Sequence, residues 1–165
     1  MKIRKAKPED APIITKINVE TWQDAYRGII DAAILDARKI DEKRISTWAK
    51  IIEDINHITL VCETEGKIVG YLHASYARDD WGIENEITAL YVEPTAQRKG
   101  VGSALIKEYK RITNNKSFYL YALKKNKKAA DFYQKNGGVI NEKYNHTLTI
   151  QGQTLEEICY VFEGK

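Results

Sequence analysis

The sequence predicts a single α/β domain over residues 1–165, built from seven strands and about four helices. Three kinds of pattern predict it: segments in which β-branched and aromatic residues alternate, segments with apolar residues three and four apart, and turn residues between them. The predicted order is β-α-α-β-β-β-α-β-α-β-β. A length of 165 residues, with 43% hydrophobic and 30% charged residues, fits one globular domain with a substantial core.

The elements of the N-terminal half follow from helix starts and turn residues. Pro8 and the two acids after it mark the start of the first helix, because proline is tolerated there and acids favour the positive end of the helix dipole. The second helical region is expected to be interrupted near Ile40. The expected elements are a strand over residues 2–6, a helix that reaches Tyr26, a helical region over residues 31–54, and hairpin strands over residues 57–63 and 67–76.

The C-terminal half begins with a strand, a glycine-containing loop and a helix. Gly137 stands where a helix cap is expected, since glycine readily adopts the left-handed backbone of that position. The remaining expected elements are a strand over residues 117–123, a helix over residues 126–136, and a closing hairpin with strands over residues 139–150 and 155–162.

The segment from Glu84 to Leu105 is the most informative part of the chain. It opens as a strand, which Pro94 ends because proline has no N–H for a sheet ladder. Regular alternation predicts Ile87, Ala89 and Tyr91 on one face of this strand, and Glu86, Thr88, Leu90 and Val92 on the other.

The loop that follows, from Gln97 to Gly102, leads directly into a helix and is a candidate anion site. The first N–H groups of a helix have no internal partner, and the helix dipole adds positive charge there. Gly100 and Gly102 leave room for a phosphate to approach those amides, while Arg98 and Lys99 add formal charge. Two glycines also fit a tight strand-to-helix turn without a ligand, and the loop alone does not decide between these interpretations.

The loop matches neither common nucleotide motif, since it lacks both G-x-x-x-x-G-K-[ST] and G-x-G-x-x-G. It matches Q-x-x-G-x-G, at Gln97, Gly100 and Gly102, and follows the strand motif Leu90-Tyr91-Val92-x-Pro94. Together these motifs resemble the acyl-CoA pyrophosphate loop of the GNAT superfamily of N-acetyltransferases. The order of elements is also similar over the whole chain. The resemblance implies a three-layer α+β fold around a mixed, mostly antiparallel seven-stranded sheet.

A second motif extends the resemblance downstream. The pattern N-x-x-A-x-x-F-Y-x-x-x-G is present from Asn126 to Gly137, although the phenylalanine that usually follows is Gly138 here. This departure puts in doubt the packing at the start of the sixth strand. The resemblance implies that Tyr133 is the general acid for the leaving thiolate, because a phenol with an ordinary pKa near 10 can donate a proton at neutral pH. The same tyrosine also fits a packed core residue.

The resemblance implies acetyl-CoA as cosubstrate, bound by the strand, the loop and the later helix, with backbone amides of a splayed strand polarising the carbonyl. A longer acyl donor stays open. The implied cofactor-binding residues are Leu90, Tyr91, Val92, Gln97, Arg98, Lys99, Gly100, Val101, Gly102, Ser103, Asn126, Ala129 and Tyr133.

Glu86 is the candidate general base. It lies eleven residues before Gln97, the spacing of the catalytic glutamate in GNAT histone acetyltransferases. A carboxylate that begins an apolar strand can act directly or through a water. Glu84, two residues earlier, is expected on the same side, so the roles stay interchangeable, and both residues also fit a solvated strand end.

The acceptor is expected to be a primary amine of a small molecule or a protein. Trp22 and Tyr26 are one helical turn apart and are candidate walls of its pocket, although both also fit simple packing on the sheet. Asp79 and Asp80 add to the two glutamates to give four carboxylates within eight residues. If these line the pocket, with Asp80 as a binding residue, the acceptor is cationic.

Other classes of function find little support. No apolar run approaches the ~20 residues of a membrane span, the N-terminus has no secretory h-region, and Cys62 and Cys159 fit reduced thiols in the cytoplasm. The histidines are scattered, so we expect no metal. A net charge of +3, with lysines clustered over residues 124–128, is too small to predict a nucleic-acid partner.

Two expectations rest on the family alone. Its members commonly pair, so a homodimer is expected by resemblance. The alternative to an enzyme is a non-catalytic protein of the same fold that binds acyl-CoA as a sensor or structural module. An intact Tyr133 and a candidate base favour the enzyme, which would work by direct transfer in a ternary complex.

Overall fold

The computed structural model describes residues 1–78 and 82–164, and in this part of the chain it has eight β-strands and five α-helices. The strands are β1 Lys2–Lys5, β2 Ile58–Thr64, β3 Lys67–Tyr76, β4 Asn85–Val92, β5 Phe118–Leu123, β6 Val139–Ile140, β7 His146–Ile150 and β8 Gln153–Phe162. The helices are α1 Ala11–Tyr26, α2 Ala32–Ala37, α3 Glu42–Glu53, α4 Val101–Ile112 and α5 Lys127–Lys135.

All eight strands belong to one sheet in the order β1-β2-β3-β4-β5-β8-β6, with β7 pairing along β8 beyond β6. Every neighbouring pair is antiparallel except β4 and β5, which are parallel. The predicted α/β fold, with a mixed and mostly antiparallel sheet, is confirmed. The interruption expected near Ile40 is also present, because α2 ends at Ala37 and α3 begins at Glu42.

The sheet has one strand more than predicted because the expected strand over residues 139–150 is broken. A short 3-10 turn, Glu142–Tyr144, separates β6 from β7. Two asparagines that flank this turn form hydrogen bonds with the backbone of Cys159 on β8. The Asn141 N–H donates to the Cys159 carbonyl at 3.0 Å, and the Cys159 N–H donates to Asn145 Oδ1 at 2.9 Å. These two bonds satisfy the backbone carbonyl and N–H of Cys159, which a continuous strand would otherwise have paired.

Helices cover both faces of the sheet. On one face, α4 contributes Val101, Leu105 and Tyr109 to a core with Leu72 of β3 and Leu120 of β5. On the other face, Ile14 and Ile17 of α1 pack on Val61 and Tyr71, and Trp48 of α3 lies with its edge toward the Tyr71 ring. Two cores therefore hold a three-layer structure, as the resemblance implied.

The structure accounts for Gly138, the position where the family pattern has an aromatic residue. Gly137 has a φ of +94°, and a Schellman pair ends α5, in which Gly137 and Gly138 donate to the carbonyls of Gln134 and Tyr133. A side chain at Gly138 would meet the Phe162 ring at 2.8 Å. Phe162 stacks on Phe118 at 4.5 Å, so it fills this space from β8. The aromatic ring at this place is therefore supplied by Phe162 of β8 and not by residue 138.

Within the described residues, no helix combines the length and the apolar character that a membrane crossing requires.

His73 of β3 is a buried histidine under α3. Its Nδ1 lies 2.9 Å from Thr59 Oγ1, its Nε2 lies 3.2 Å from His57 Nδ1, and the Trp48 ring stands edge-on to it. Burial, with a smaller contribution from His57, lowers the pKa of His73 to about 4. A proton on this ring therefore destabilises the folded state.

We expect the stability that His73 contributes to be present above pH 6.5 and to be lost as the pH falls toward 4, because the unfolded chain binds the proton first. The difference amounts to about 3 kcal/mol. Urea unfolding of the wild type between pH 7 and pH 4, compared with His73→Gln, measures it. An identical pH dependence in both proteins would show that His73 titrates as an ordinary histidine.

Candidate active site

The parallel strands β4 and β5 run side by side but are paired through the sheet ladder at one position. Glu86 and Tyr119 form the only ladder pair of these two fully described strands. Beyond it, β4 continues to Val92 and β5 to Leu123. Backbone groups that face the gap have no strand partner there, so the gap is a fork lined by hydrogen-bonding groups.

A β-bulge in β4 corrects the predicted facing of its side chains. Ile87 lies opposite Ala74 and Ala89 opposite His73, so Thr88 is the extra residue. Ile87, Leu90 and Val92 therefore pack toward α4, whereas Ala89 and Tyr91 pack toward α1. Regular alternation had placed Ala89 and Tyr91 with Ile87. The bulge moves Tyr91 to the face that carries Glu86.

The loop after β4 is held against the end of that strand. The side-chain amide of Gln97 donates to the Val92 carbonyl at 3.0 Å. Arg98 and Gly100 both have positive φ, +57° and +83°, and a Cβ at Gly100 would meet nothing within 4 Å. Gly100 is therefore needed for its backbone conformation. Arg98, Lys99 and Ser103 are exposed around the first amides of α4, while Val101 is buried.

Gly102 also has a packing role, beside its predicted place in the anion site. A Cβ at Gly102 would lie 2.8 Å from Cζ of Phe132, so this glycine lets α5 pack against the start of α4. Phe132 belongs to the same downstream motif as Tyr133. The two sequence motifs are thus a single packed unit, with Gly102 as the point of contact.

The helix α5 positions Asn126 and Tyr133 beside the fork. Asn126 caps the helix, since its Oδ1 accepts the Ala129 N–H at 3.1 Å. The half-buried Tyr133 ring packs on Tyr160 with a centroid distance of 5.6 Å. Burial, followed by Tyr26 and Tyr160, raises the pKa of Tyr133 above its ordinary value. The phenol therefore keeps its proton at physiological pH.

The C-terminal end of α1 brings Tyr26 to the same place. Trp22 and Tyr26 contact each other edge to face at 5.6 Å. Burial raises the pKa of Tyr26, opposed by hydrogen bonding to Tyr91 and Asn126, so the Tyr26 hydroxyl is near both. Tyr26, a predicted wall of the acceptor pocket, therefore lies beside two predicted cofactor residues, Tyr91 and Asn126.

Glu86 is buried and fully engaged in an ion pair. Nε of Arg78 lies 2.8 and 3.1 Å from the two carboxylate oxygens, and Nη2 donates to Oε1 at 2.5 Å. Tyr119 donates to Oε2 at 3.3 Å and accepts the Arg78 N–H at 3.1 Å. The carboxylate raises the pKa of Arg78 further. Arg78 is thus a residue of the candidate site that sequence reasoning missed, because the pair forms only when β3 and β4 meet.

Glu84 stands apart from this arrangement. Glu84 precedes β4, is exposed, and pairs with Lys116 at 3.3 Å, so the structure does not bring it beside Glu86 as predicted. Asp80, with its neighbour Asp79, lies outside the described residues.

Two further titratable residues lie on the face that carries Glu86. Glu157 of β8 and His146 of β7 form a cross-strand pair, with Nε2 and Oε2 2.9 Å apart. Burial raises the pKa of Glu157. The predicted hairpin around Gln151 and Gly152 was the signal that could have found them, because its register places residues 146 and 157 opposite each other.

Comparisons with known proteins agree on one family. The model of the acetyltransferase (GNAT) domain matches residues 55–137, half of the chain. A protein of Mycobacterium tuberculosis named as a probable N-acetyltransferase is 26% identical over 163 residues, which are 97% of this chain and 92% of that protein.

Solved structures give the same result for the fold. A PaiA N-acetyltransferase of Thermoplasma acidophilum, in complex with coenzyme A, superposes with a TM-score of 0.78 at 20% identity over 98% of both chains. The acetyltransferase YncA of Salmonella typhimurium, with its cofactor acetyl-CoA, gives a TM-score of 0.71 at 21% identity over 99% of this chain and 93% of that chain.

We expect Gly102→Ala to destabilise the protein by about 1–3 kcal/mol, because the added methyl group must displace the Phe132 ring. Urea unfolding of Gly102→Ala, Phe132→Leu and the double variant measures the coupling between the two positions. In the Phe132→Leu background the ring is gone, so Gly102→Ala should lower the free energy of unfolding much less. An equal decrease in both backgrounds would show that the contact between Gly102 and Phe132 is unimportant.

Proposed function

Because the chain belongs to the GNAT family of acetyltransferases and is an N-acetyltransferase, we propose that it moves an acetyl group from acetyl-CoA to a primary amine by direct transfer in a ternary complex. The observation that carries this proposal is the fork between β4 and β5, which opens between the loop at α4 and Tyr133 of α5. A thioester held in the fork would have α4 amides at one end and Tyr133 beside the sulfur.

The residues around the fork suit acetyl-CoA. The first amides of α4 and the exposed Arg98 and Lys99 would receive its phosphates, with Gly100 leaving the approach open. The backbone of Leu90, Tyr91 and Val92 would bind the pantetheine arm and polarise the carbonyl. Asn126 and Ala129 line the opposite side.

Tyr133 is the proposed general acid. Its phenol stays protonated because burial raises its pKa, so a proton is available for the sulfur as the C–S bond breaks. The carbonyl of Tyr133 accepts the Gly138 N–H at 2.8 Å, which fixes the last turn of α5 and orients the side chain.

The proton acceptor for the amine is a carboxylate on the α1 face. Glu86 remains the residue that the sequence favours, but the structure sets a condition on it. Arg78 binds both of its oxygens, so Glu86 would have to give up part of this ion pair before it could take a proton.

A cationic acceptor fits the same face. Glu86 and Glu157 both lie there, and an ammonium group would be attracted to Glu157, whose charge Arg78 does not fully offset. Trp22 and Tyr26 would form the apolar wall of the pocket. Small amines and protein amines both fit this face, and we propose a cytoplasmic protein that forms a homodimer.

We expect Tyr133→Phe to lower kcat about 100-fold while leaving the Kd for acetyl-CoA within a few-fold, since only the hydroxyl is removed. The assay detects free CoA thiol with acetyl-CoA and a panel of amines and peptides, and calorimetry gives the Kd. Tyr160→Phe, which removes the hydroxyl from the neighbouring ring, is the matched control.

The outcomes of this experiment separate the two candidate functions. Turnover with one class of amine, lost in Tyr133→Phe and kept in Tyr160→Phe, supports the enzyme and its acid. Full turnover in Tyr133→Phe would remove the assigned acid. Tight binding of acetyl-CoA without turnover of any amine would favour a sensor of the same fold.

A further inference from the structure

Glu157 is a carboxylate that the fold partly buries and leaves without an arginine clamp. Its side chain is 14% exposed, and His146 is its only ion-pair partner among the described residues, at 2.9 Å. Glu156, the preceding residue, points to the opposite face, where it is exposed and pairs with Lys124. Two adjacent glutamates therefore stand in contrasting environments.

Four charged or titratable groups from other elements face Glu157. His146 approaches from β7, Arg78 from the segment before β4, Glu86 from β4 and Tyr26 from the end of α1. Burial raises the pKa of Glu157 and Glu86 raises it further, whereas His146 and Arg78 lower it. The result is a carboxyl group that can exchange a proton closer to neutral pH than an ordinary glutamate.

The two buried carboxylates differ in how they are held. Arg78 binds both oxygens of Glu86, and Tyr119 donates a third bond, so Glu86 keeps Arg78 in place at the apex of the fork. Glu157 lies opposite Leu123, the last residue of β5, toward the wide end of the fork. Its neighbour Tyr26 is also near Tyr91 on β4.

We propose that Glu157 binds the ammonium group of the acceptor and takes its proton, with His146 holding the carboxylate and passing the proton on to solvent. This inference rests on the proposed function. It makes Glu157 a catalytic residue, and it makes Arg78 and Glu86 positioning residues that set the charge around it.

The acceptor ammonium gives one proton to Glu157 and becomes a neutral amine, whose lone pair attacks the thioester carbonyl. A C–N bond forms and the C–S bond breaks. Tyr133 gives its proton to the thiolate and regains one from the attacking nitrogen through solvent. The proton on Glu157 leaves through His146, so each turnover yields the amide, CoA thiol and one proton.

The test is the pH profile of kcat/KM for an aliphatic amine in the wild type, Glu157→Gln and Glu156→Gln. The wild type should rise with pH and then level off once Glu157 is ionised, at a pH above the usual carboxyl range. Glu157→Gln should be about 100-fold slower at neutral pH and should keep rising toward the pKa of the amine, near 10. Glu156→Gln, which changes the exposed carboxylate, should match the wild type.

A second variant tests the link to His146 without removing the carboxylate. His146→Gln removes a group that lowers the pKa of Glu157 and also removes the relay, so the start of the plateau should move to higher pH and the plateau itself should be lower. Circular dichroism and thermal melting establish that each variant is folded.

Three results would overturn the inference. A plateau retained in Glu157→Gln removes Glu157 from proton transfer. A plateau lost instead in Glu86→Gln makes Glu86 the base. A plateau in His146→Gln that keeps both its position and its height removes the relay. The absence of turnover with every amine, in a protein that binds acetyl-CoA, would overturn the proposed function itself, and that result is distinct from the other three.

Discussion

The single ladder pair between β4 and β5 is the constraint on which the rest of the site depends. Glu86 and Tyr119 form it, and the ladder does not continue beyond them. Side chains secure the pair as well, because the Tyr119 hydroxyl donates to Glu86 and accepts the Arg78 backbone N–H, and the Arg78 side chain forms an ion pair with Glu86. A buried carboxylate without its arginine would destabilise this apex by several kcal/mol. The fork is therefore fixed at its closed end and free to accept a ligand at its open end.

Aromatic packing determines how the elements around the fork approach one another. Phe132 rests on Gly102 and couples α5 to α4, while Phe162 occupies the space beside Gly138 and couples β8 to the end of α5. Each glycine is matched to one ring, so loss of either partner leaves a cavity or a clash. Tyr133 stands between these two contacts. Its position is the result of packing on both sides.

Local chemistry was predictable from the sequence, and long-range pairing was not. The stop of α5 at Gly137 depends on a few neighbouring residues, and it is present. The bulge at Thr88 has no local signature, because residues 89–92 are all apolar and hide the change of phase that the extra residue causes. The Arg78–Glu86 pair needs two strands in register, so spacing alone identified Glu86 but not its clamp. The roles of these residues stay predictions until they are tested by kinetics.

The bulge at Thr88 also limits how this chain can vary in length. Deleting Thr88 would make the pairing with β3 regular and would leave Glu86 and Tyr91 on one face and Leu90 and Val92 on the other. An inserted residue has no such solution: unless it enlarges the bulge, it turns Glu86 away from Tyr91 or turns Leu90 and Val92 out of the core. The spacing between the carboxylate and the loop should therefore shorten by one residue more easily than it lengthens in descendants of this sequence.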